Sequence, residues 1–293
     1  MLDNRLTLSG EKFSSDLAHQ VCGVGLLRSE YLLRYLGSNF CSRSVCTKVA
    51  EYVDLVASIA APQPVWYRLA DLWSDEANPL IGTRTIVIET NPLVGLRGIR
   101  RGLEDQVIFE DELSLIVDLA RTHRNLHVLT PFVADATQFA AVVQILEKLG
   151  WPNRVGTMIE IPSAVLDIEA FIQEGATNLL VGLNDLTSLL LGAERSSCYY
   201  SKNHPAVVCM LRMVAKAVAK RVEWGIGGEL DSSIIETAEK EGADYVSVPY
   251  YQANCLLGIP KNILPELEFV SDVRKITRQR SQEFARSQVR SSS

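Results

Sequence analysis

The chain has 293 residues, 47% of them hydrophobic and 22% charged, with a formal net charge of −6. That balance excludes a broad nucleic-acid surface, which needs clustered Lys and Arg, and no apolar run approaches the roughly 18 residues of a membrane span. The opening MLDNRLTLSGEKF is too polar for a secretory h-region, so a cytoplasmic protein with neither nucleic acid nor membrane as a partner is expected.

In chain order, short apolar runs alternate with stretches of helical period, the signature of βαβ units and a parallel sheet. The runs are Val21 to Leu27, Val65 to Leu69, His127 to Phe132, Val155 to Ile161, Asn178 to Leu183, Val222 to Ile226 and Asp244 to Val248, with an eighth expected somewhere in 80–100. Asp135 caps a predicted helix whose Phe139, Val142, Val143 and Leu146 share a face, and Gly150 ends it. His204 and Pro205 open another predicted helix, with Val208, Leu211, Ala215 and Val218 on one face and Lys216, Lys220 and Arg221 towards its end. Ser233 and Glu236 have capping-box spacing before a third, which Gly242 terminates. No linker divides the chain. We expect residues 1–16 to be an N-terminal extension, 17–265 one α/β barrel domain, and 266–293 a basic, mobile tail with too few large apolar residues to order itself.

Scattered cysteines (Cys22, Cys41, Cys46, Cys198, Cys209 and Cys255) form no CxxC pair, which points to free thiols. In a parallel barrel, the functional residues sit just after the strands. There the sequence places Arg28, then Arg68 and Asp71, then Glu160, then Asn184 and Asp185. Two carboxylates from adjacent strands, Glu160 and Asp185, suit Mg²⁺, which takes hard oxygen ligands and completes its shell with water and phosphate. Arg28 and Arg68 suit a phosphate or carboxylate through the planar guanidinium fork. Salt bridges closing the barrel rim would use the same residue types, and the pattern alone leaves both readings open.

Several blocks around these residues go further. GVGLLRSEYLL at 23–33, YRLADLWSDEANPLIG at 67–82, NPLVGLRGIRR at 91–101, LTPFV at 129–133, TMIEIPSAVL at 157–166, VGLNDLTSLLLGAER at 181–195 and GIGGEL at 225–230 resemble, in order, the C-terminal barrel of the phosphoenolpyruvate-utilising enzymes. That family includes phosphoenolpyruvate synthase, pyruvate phosphate dikinase and enzyme I of the sugar phosphotransferase system, and the second block is most similar to the synthase. The resemblance implies a (β/α)8 TIM barrel that binds phosphoenolpyruvate or pyruvate with Mg²⁺, or Mn²⁺ in its place. By resemblance, Arg28 and Arg68 hold the phosphoryl group, Glu160 and Asp185 the metal, and Asn184 the substrate. Gly182 and Leu183 offer backbone there, and Arg97 and Arg195 match further arginines near the substrate.

Three positions depart from the family pattern. The proton-donor cysteine is replaced by Gly227, a Ser or Thr ahead of the Asn-Asp pair by Leu183, and an Asp by Glu194. None of His19, His123, His127 or His204 lies in a phosphohistidine motif, and no nucleotide-binding half accompanies the barrel. A phosphohistidine carrier domain acting in trans is therefore expected, as is a homo-oligomer. The implied activity is phosphotransferase-like or an enolate-forming lyase or aldolase, and the alternative is a silent ligand-binding or regulatory subunit.

Overall fold

The computed structural model describes residues 2–265 and 268–291, and among these eight parallel strands close a barrel in sequence order. They are β1 (Asp3–Leu8), β2 (Val24–Arg28), β3 (Val65–Arg68), β4 (Leu126–Thr130), β5 (Val155–Ile159), β6 (Asn178–Gly182), β7 (Glu223–Gly227) and β8 (Tyr245–Pro249). The ring closes where β1 pairs with β8, Arg5 opposite Ser247 and Leu6 opposite Val248. This is a (β/α)8 TIM barrel, as expected.

The first strand is the largest correction to the sequence reading. It lies at Asp3–Leu8 within the supposed extension, and residues 80–100 contribute no barrel strand. In DNRLTL the apolar and polar residues alternate. Leu6 and Leu8 are fully buried in the layer between barrel and helices. The polar residues are satisfied by neighbouring strands: Arg5 pairs with Glu223 and stacks 4.0 Å over the Tyr245 ring, and Thr7 Oγ1 lies 2.8 Å from Ser247 Oγ. The β-branched TIVIET stretch has strand propensity but no strand partner, and Ile86 and Ile88 are exposed at 44% and 73%. Propensity yields there to tertiary pairing.

Two hydrophobic clusters hold the fold. Leu26, Trp66, Leu129, Met158, Leu180 and Tyr245 fill the barrel interior, and a larger cluster seats the helices on its outside. Helix Ala136–Lys148 has the expected Asp135 cap, its carboxylate accepting the Gln138 N–H at 3.1 Å. Helix Pro205–Val218 is capped by the His204 ring, but its buried face is Val207, Leu211, Val214 and Val218 rather than the face through Val208. Asp231, not Ser233, caps helix Ser232–Lys240. All six cysteines are free.

The C-terminal segment is the second correction. Its described part forms helix Glu268–Ser291 and packs on helix Glu30–Leu36, burying Val270, Val273 and Thr277. Arg34 Nε donates to Thr277 Oγ1 at 3.0 Å, and Arg280 donates to the Arg34 carbonyl that ends the shorter helix. Of the segments assigned from sequence, Met1, Glu266, Leu267, Ser292 and Ser293 lie outside the described residues. No helix among the described residues is long and apolar enough to cross a membrane.

If β1 is part of the barrel wall, Leu8→Ala lowers the unfolding free energy by about 2–5 kcal/mol in urea titration, as for a fully buried leucine. A change within about 0.5 kcal/mol would return residues 3–8 to a surface extension.

Candidate functional site

The C-terminal strand ends converge on one cavity of about 320 Å³. Arg28 ends β2, its Nε donating to Ser9 Oγ at 2.8 Å while its guanidinium stacks 4.7 Å from the Tyr31 ring. Arg68 ends β3 and is held by two buried carboxylates, Glu30 and Asp71, the latter at 3.2 Å. Glu160 immediately follows β5, and Pro162 opens helix Pro162–Leu166 two residues later. After β6 the helix Leu183–Leu191 starts at once, so Asn184 and Asp185 lie in its first turn at the cavity.

Charge is concentrated here to an unusual degree. Asp71, Glu160 and Asp185 are at most 5% exposed, and each offers a carboxylate oxygen within 4.8 Å of the others. Arg97 donates Nε to Asp71 Oδ1 at 2.9 Å and Nη2 to Asp71 Oδ2 at 2.6 Å. The same Nη2 reaches Asp185 Oδ2 at 3.1 Å, and Arg195 takes Asp185 Oδ1 at 2.6 Å. Glu160 is different: among the described residues it forms no ion pair, and its Oε1 accepts only the Phe132 N–H at 2.8 Å. Phe132 adopts φ 51°, a left-handed conformation costing about 1–3 kcal/mol for a bulky residue, while giving Glu160 that hydrogen bond.

These partners set the protonation states. Burial, then the charges of Asp185 and Asp71, push Glu160 up to about 8. Burial also works to raise Asp71, but the Arg97 and Arg68 guanidiniums overrule it and bring it down to about 2. Arg97 sits between aromatic faces, 4.1 Å from the Phe132 centroid and 5.3 Å from Trp73. Among the described residues its Nη1 and Arg68 Nε are buried without a hydrogen-bond partner, which in a buried site calls for an explanation.

Two glycines make this approach possible. A Cβ on Gly182 would lie 2.5 Å from Glu160 Oε2, and one on Gly228, at φ 118°, would lie 2.9 Å from Asn184 Oδ1. Asn184 Oδ1 accepts the Glu229 N–H at 3.1 Å, which fixes the amide on the loop after β7. Gly227 belongs to neither case. A Cβ there would meet nothing closer than Leu180 Cδ1 at 3.3 Å, so a side chain could stand at this position.

The site residues singled out from sequence line this cavity together, with the exception of Leu183, whose side chain is fully buried in the core. The sequence reading noted Asp71 at a strand end but left it out of the metal set, although its place three residues after Arg68 carried the signal. It missed Glu30, two residues after Arg28, and it had no means of placing Arg274 of the C-terminal helix at the cavity, since that contact joins distant parts of the chain.

A (β/α)8 barrel with buried carboxylates and arginines gathered at its C-terminal face is of the kind that binds small anions with a divalent cation. Residues 9–255 match the family model described as PEP-utilising enzyme, PEP-binding domain, and the chain belongs to this family. It is 34% identical over 244 residues to a probable phosphoenolpyruvate synthase of Methanocaldococcus jannaschii, covering 77% of this chain and 20% of that one. It is 34% identical over 228 residues to the phosphoenolpyruvate synthase of Pyrococcus furiosus, covering 72% and 28%. A phosphoenolpyruvate-protein phosphotransferase of Priestia megaterium is 30% identical over 226 residues, with 71% and 38% covered. The chain therefore spans well under half the length of these relatives. Among solved structures, a HpcH/Hpal aldolase/citrate lyase family protein of Burkholderia cenocepacia superposes with TM-score 0.51 at 15% identity, covering 85% of this chain and 88% of that one, and shares the fold.

Behind the cavity a second carboxyl group braces β3. The Tyr67 hydroxyl lies 2.8 Å from both Ser29 Oγ and Glu112 Oε1, and Glu112 Oε1 also accepts the Ala70 N–H at 2.9 Å, next to Asp71. Burial pushes Glu112 up to about 8. A carboxyl raised on folding contributes stability that is full below its ordinary value near 4.5 and is lost as pH rises through the folded value. Glu112→Gln should therefore gain on wild type between pH 4.5 and 8, by an amount on the order of a few kcal/mol, in denaturant titrations across that range. Parallel stability curves for the two proteins would show Glu112 ionised in the fold.

Proposed function

We propose that this cavity binds phosphoenolpyruvate or pyruvate with Mg²⁺, Mn²⁺ serving in its place, and handles the enolate that links the two. The observation carrying this reading is Glu160. It is a buried carboxyl group raised by two neighbouring carboxylates, and it is the member of the acidic trio without a guanidinium partner. A site built only from rim salt bridges would neutralise it, whereas a divalent cation is the charge that the arrangement lacks.

Glu160 and Asp185 would hold the cation, with Asp71 fixed behind them by Arg97. When bound, the cation supplies Lewis-acid stabilisation of developing enolate charge. Arg28 is free of any carboxylate partner among the described residues and is suited to receive the phosphoryl group, with Arg68 opposite it. Arg97 and Arg195 hold Asp185 in position, and the Asn184 NH₂ is left to orient the ligand once its oxygen is engaged by Glu229. These are pre-set dipoles and charges, which is how such a cavity stabilises an enolate.

Gly227 decides which second step is open. In a phosphotransfer cycle, a phosphohistidine on a separate carrier would exchange the phosphoryl group, and C3 of the enolate would then need a proton. In a lyase or aldol cycle, the enolate attacks a carbon electrophile, and a proton donor in that place would compete. A silent regulatory subunit is favoured by the same glycine and opposed by the retained Glu160, Asp185 and arginines, whose joint desolvation would otherwise be uncompensated.

Calorimetry should find phosphoenolpyruvate or oxalate binding with Mg²⁺ or Mn²⁺ and not in excess chelator; equal binding in chelator removes the metal-bridged site. Arg68→Ala and Asp185→Ala should each weaken that binding by about tenfold or more, a charge-assisted contact being worth roughly 1.5–3 kcal/mol. Loss of folding without selective loss of binding would favour the salt-bridge reading.

With a phosphohistidine carrier domain supplied in trans, wild type should leave phosphoenolpyruvate and pyruvate unexchanged, whereas Gly227→Cys gains deuterium incorporation into pyruvate. A Cβ at this position needs only a small shift of the Leu180 side-chain end, and a positioned acid contributes about 10² to 10⁴ in rate. Equal turnover by the two proteins would mean that another acid acts.

A further inference from the structure

The cavity does not end at the barrel mouth. Arg274 lines it alongside Tyr31 and Tyr251, yet belongs to helix Glu268–Ser291, beyond the residues 9–255 shared with the family. Its guanidinium acts electrostatically on the Tyr31 hydroxyl. From Arg274, Tyr251 and Glu229 a second hollow of about 650 Å³ runs outward between helix Tyr250–Leu257 and the C-terminal helix. Its walls add Lys275, Arg278 and Tyr250, the last meeting Tyr251 edge to face at 5.7 Å.

The charge in this groove runs against that of the whole chain, whose net value is −6. Lys275 is paired with Asp272 at 3.2 Å, and Glu229 accepts the Tyr251 hydroxyl at 3.3 Å. Among the described residues, neither Arg274 nor Arg278 has a carboxylate within ion-pairing distance, and Glu229, which acts on Arg274 from further off, is the acidic residue in the same wall. The two arginines are not on a loose element. Val270 and Val273 are buried beneath them, Thr277 is tied to Arg34, and Ser281 Oγ donates to the Asp75 carbonyl at 2.6 Å.

We propose that this groove is an anion subsite for the second reactant, a small molecule bearing a phosphate or carboxylate. Arg274 and Arg278 hold the oxyanion, and the exposed Tyr251 ring covers the carbon body. The size falls in the range of small-ligand pockets, about 300–1,000 Å³, and the groove adjoins the inner cavity, sharing Glu229, Tyr251 and Arg274 with it. This rests on reading the inner cavity as a phosphoenolpyruvate or pyruvate site.

The test uses the full chain saturated with phosphoenolpyruvate and Mg²⁺, so that Arg28 and Arg68 are engaged, and titrates inorganic phosphate and malonate separately by calorimetry. One of the two anions should bind, telling phosphate from carboxylate. Arg278→Glu should weaken it by about tenfold or more with phosphoenolpyruvate affinity and melting temperature unchanged, Arg278 being exposed and outside the inner cavity. If wild type takes phosphoenolpyruvate but neither anion, or if Arg278→Glu binds the anion as well as wild type, the subsite is wrong and the inner site stands. If wild type fails to take phosphoenolpyruvate with Mg²⁺, the inner reading falls and the subsite with it.

Discussion

The mouth of this barrel is organised by the cost of keeping three carboxyl groups together away from water. Asp71, Glu160 and Asp185 approach within 4.8 Å, and like charges at such distances in a poorly screened cavity repel strongly unless cations stand between them. Arg97 answers for Asp71 and part of Asp185, Arg195 for the rest of Asp185, and Arg68 spans Asp71 and Glu30. What remains is Glu160, which has no guanidinium within ion-pairing distance among the described residues and is pushed up to about 8 by burial and by Asp185 and Asp71. The rest of the site follows from this imbalance. Phe132 holds a left-handed backbone beside Glu160, Gly182 gives up its Cβ to it, and the aromatic faces of Phe132 and Trp73 enclose the central arginine.

Much of this was legible in the sequence because barrel strands end where chemistry begins. An apolar run followed by Arg, Glu or Asn-Asp gave Arg28, Arg68, Glu160, Asn184 and Asp185, and the fold brings them to one cavity. What the residues alone could not settle was whether those charges serve a ligand or each other. The structure shows that they do the second in large part, through pairs that join β3 to the segments around Arg97 and Asp185. Only three-dimensional placement shows that one carboxyl group is left over. Arg97 illustrates the difficulty: it is 2% exposed and engaged on two acids, as a wall-building residue would be, yet keeps one buried donor without a partner.

The misreadings share a cause. A strand was expected somewhere in 80–100 and overlooked where the inward face is polar, at DNRLTL. An interior lined by Arg5 and Thr7 defeats a hydrophobicity pattern, because Arg5 is satisfied by Glu223 and the Tyr245 face, and Thr7 by Ser247, all distant in sequence. The C-terminal segment was read as solvated for the same reason. Val270, Val273 and Thr277 form a narrow stripe, insufficient to order an isolated helix, and its stability comes from Arg34, Arg280 and the end of helix Glu30–Leu36.

That helix changes what the barrel can do. Arg274 of this helix lines the cavity beside Tyr31 and Tyr251 although it lies beyond the residues matched by the family, 9–255. Helix Glu268–Ser291 raises one wall, and it is tied to helix Glu30–Leu36, which begins two residues after Arg28 and carries both Glu30, the partner of Arg68, and Tyr31, the ring under Arg28. Helix Glu30–Leu36 thus joins the wall to the partners of two arginines, Arg68 and Arg28, which themselves end barrel strands. Packing of the C-terminal helix therefore bears on Glu30 and Tyr31, while the arginines they contact end β3 and β2 and the carboxylates follow β5 and β6, all of them on the barrel itself.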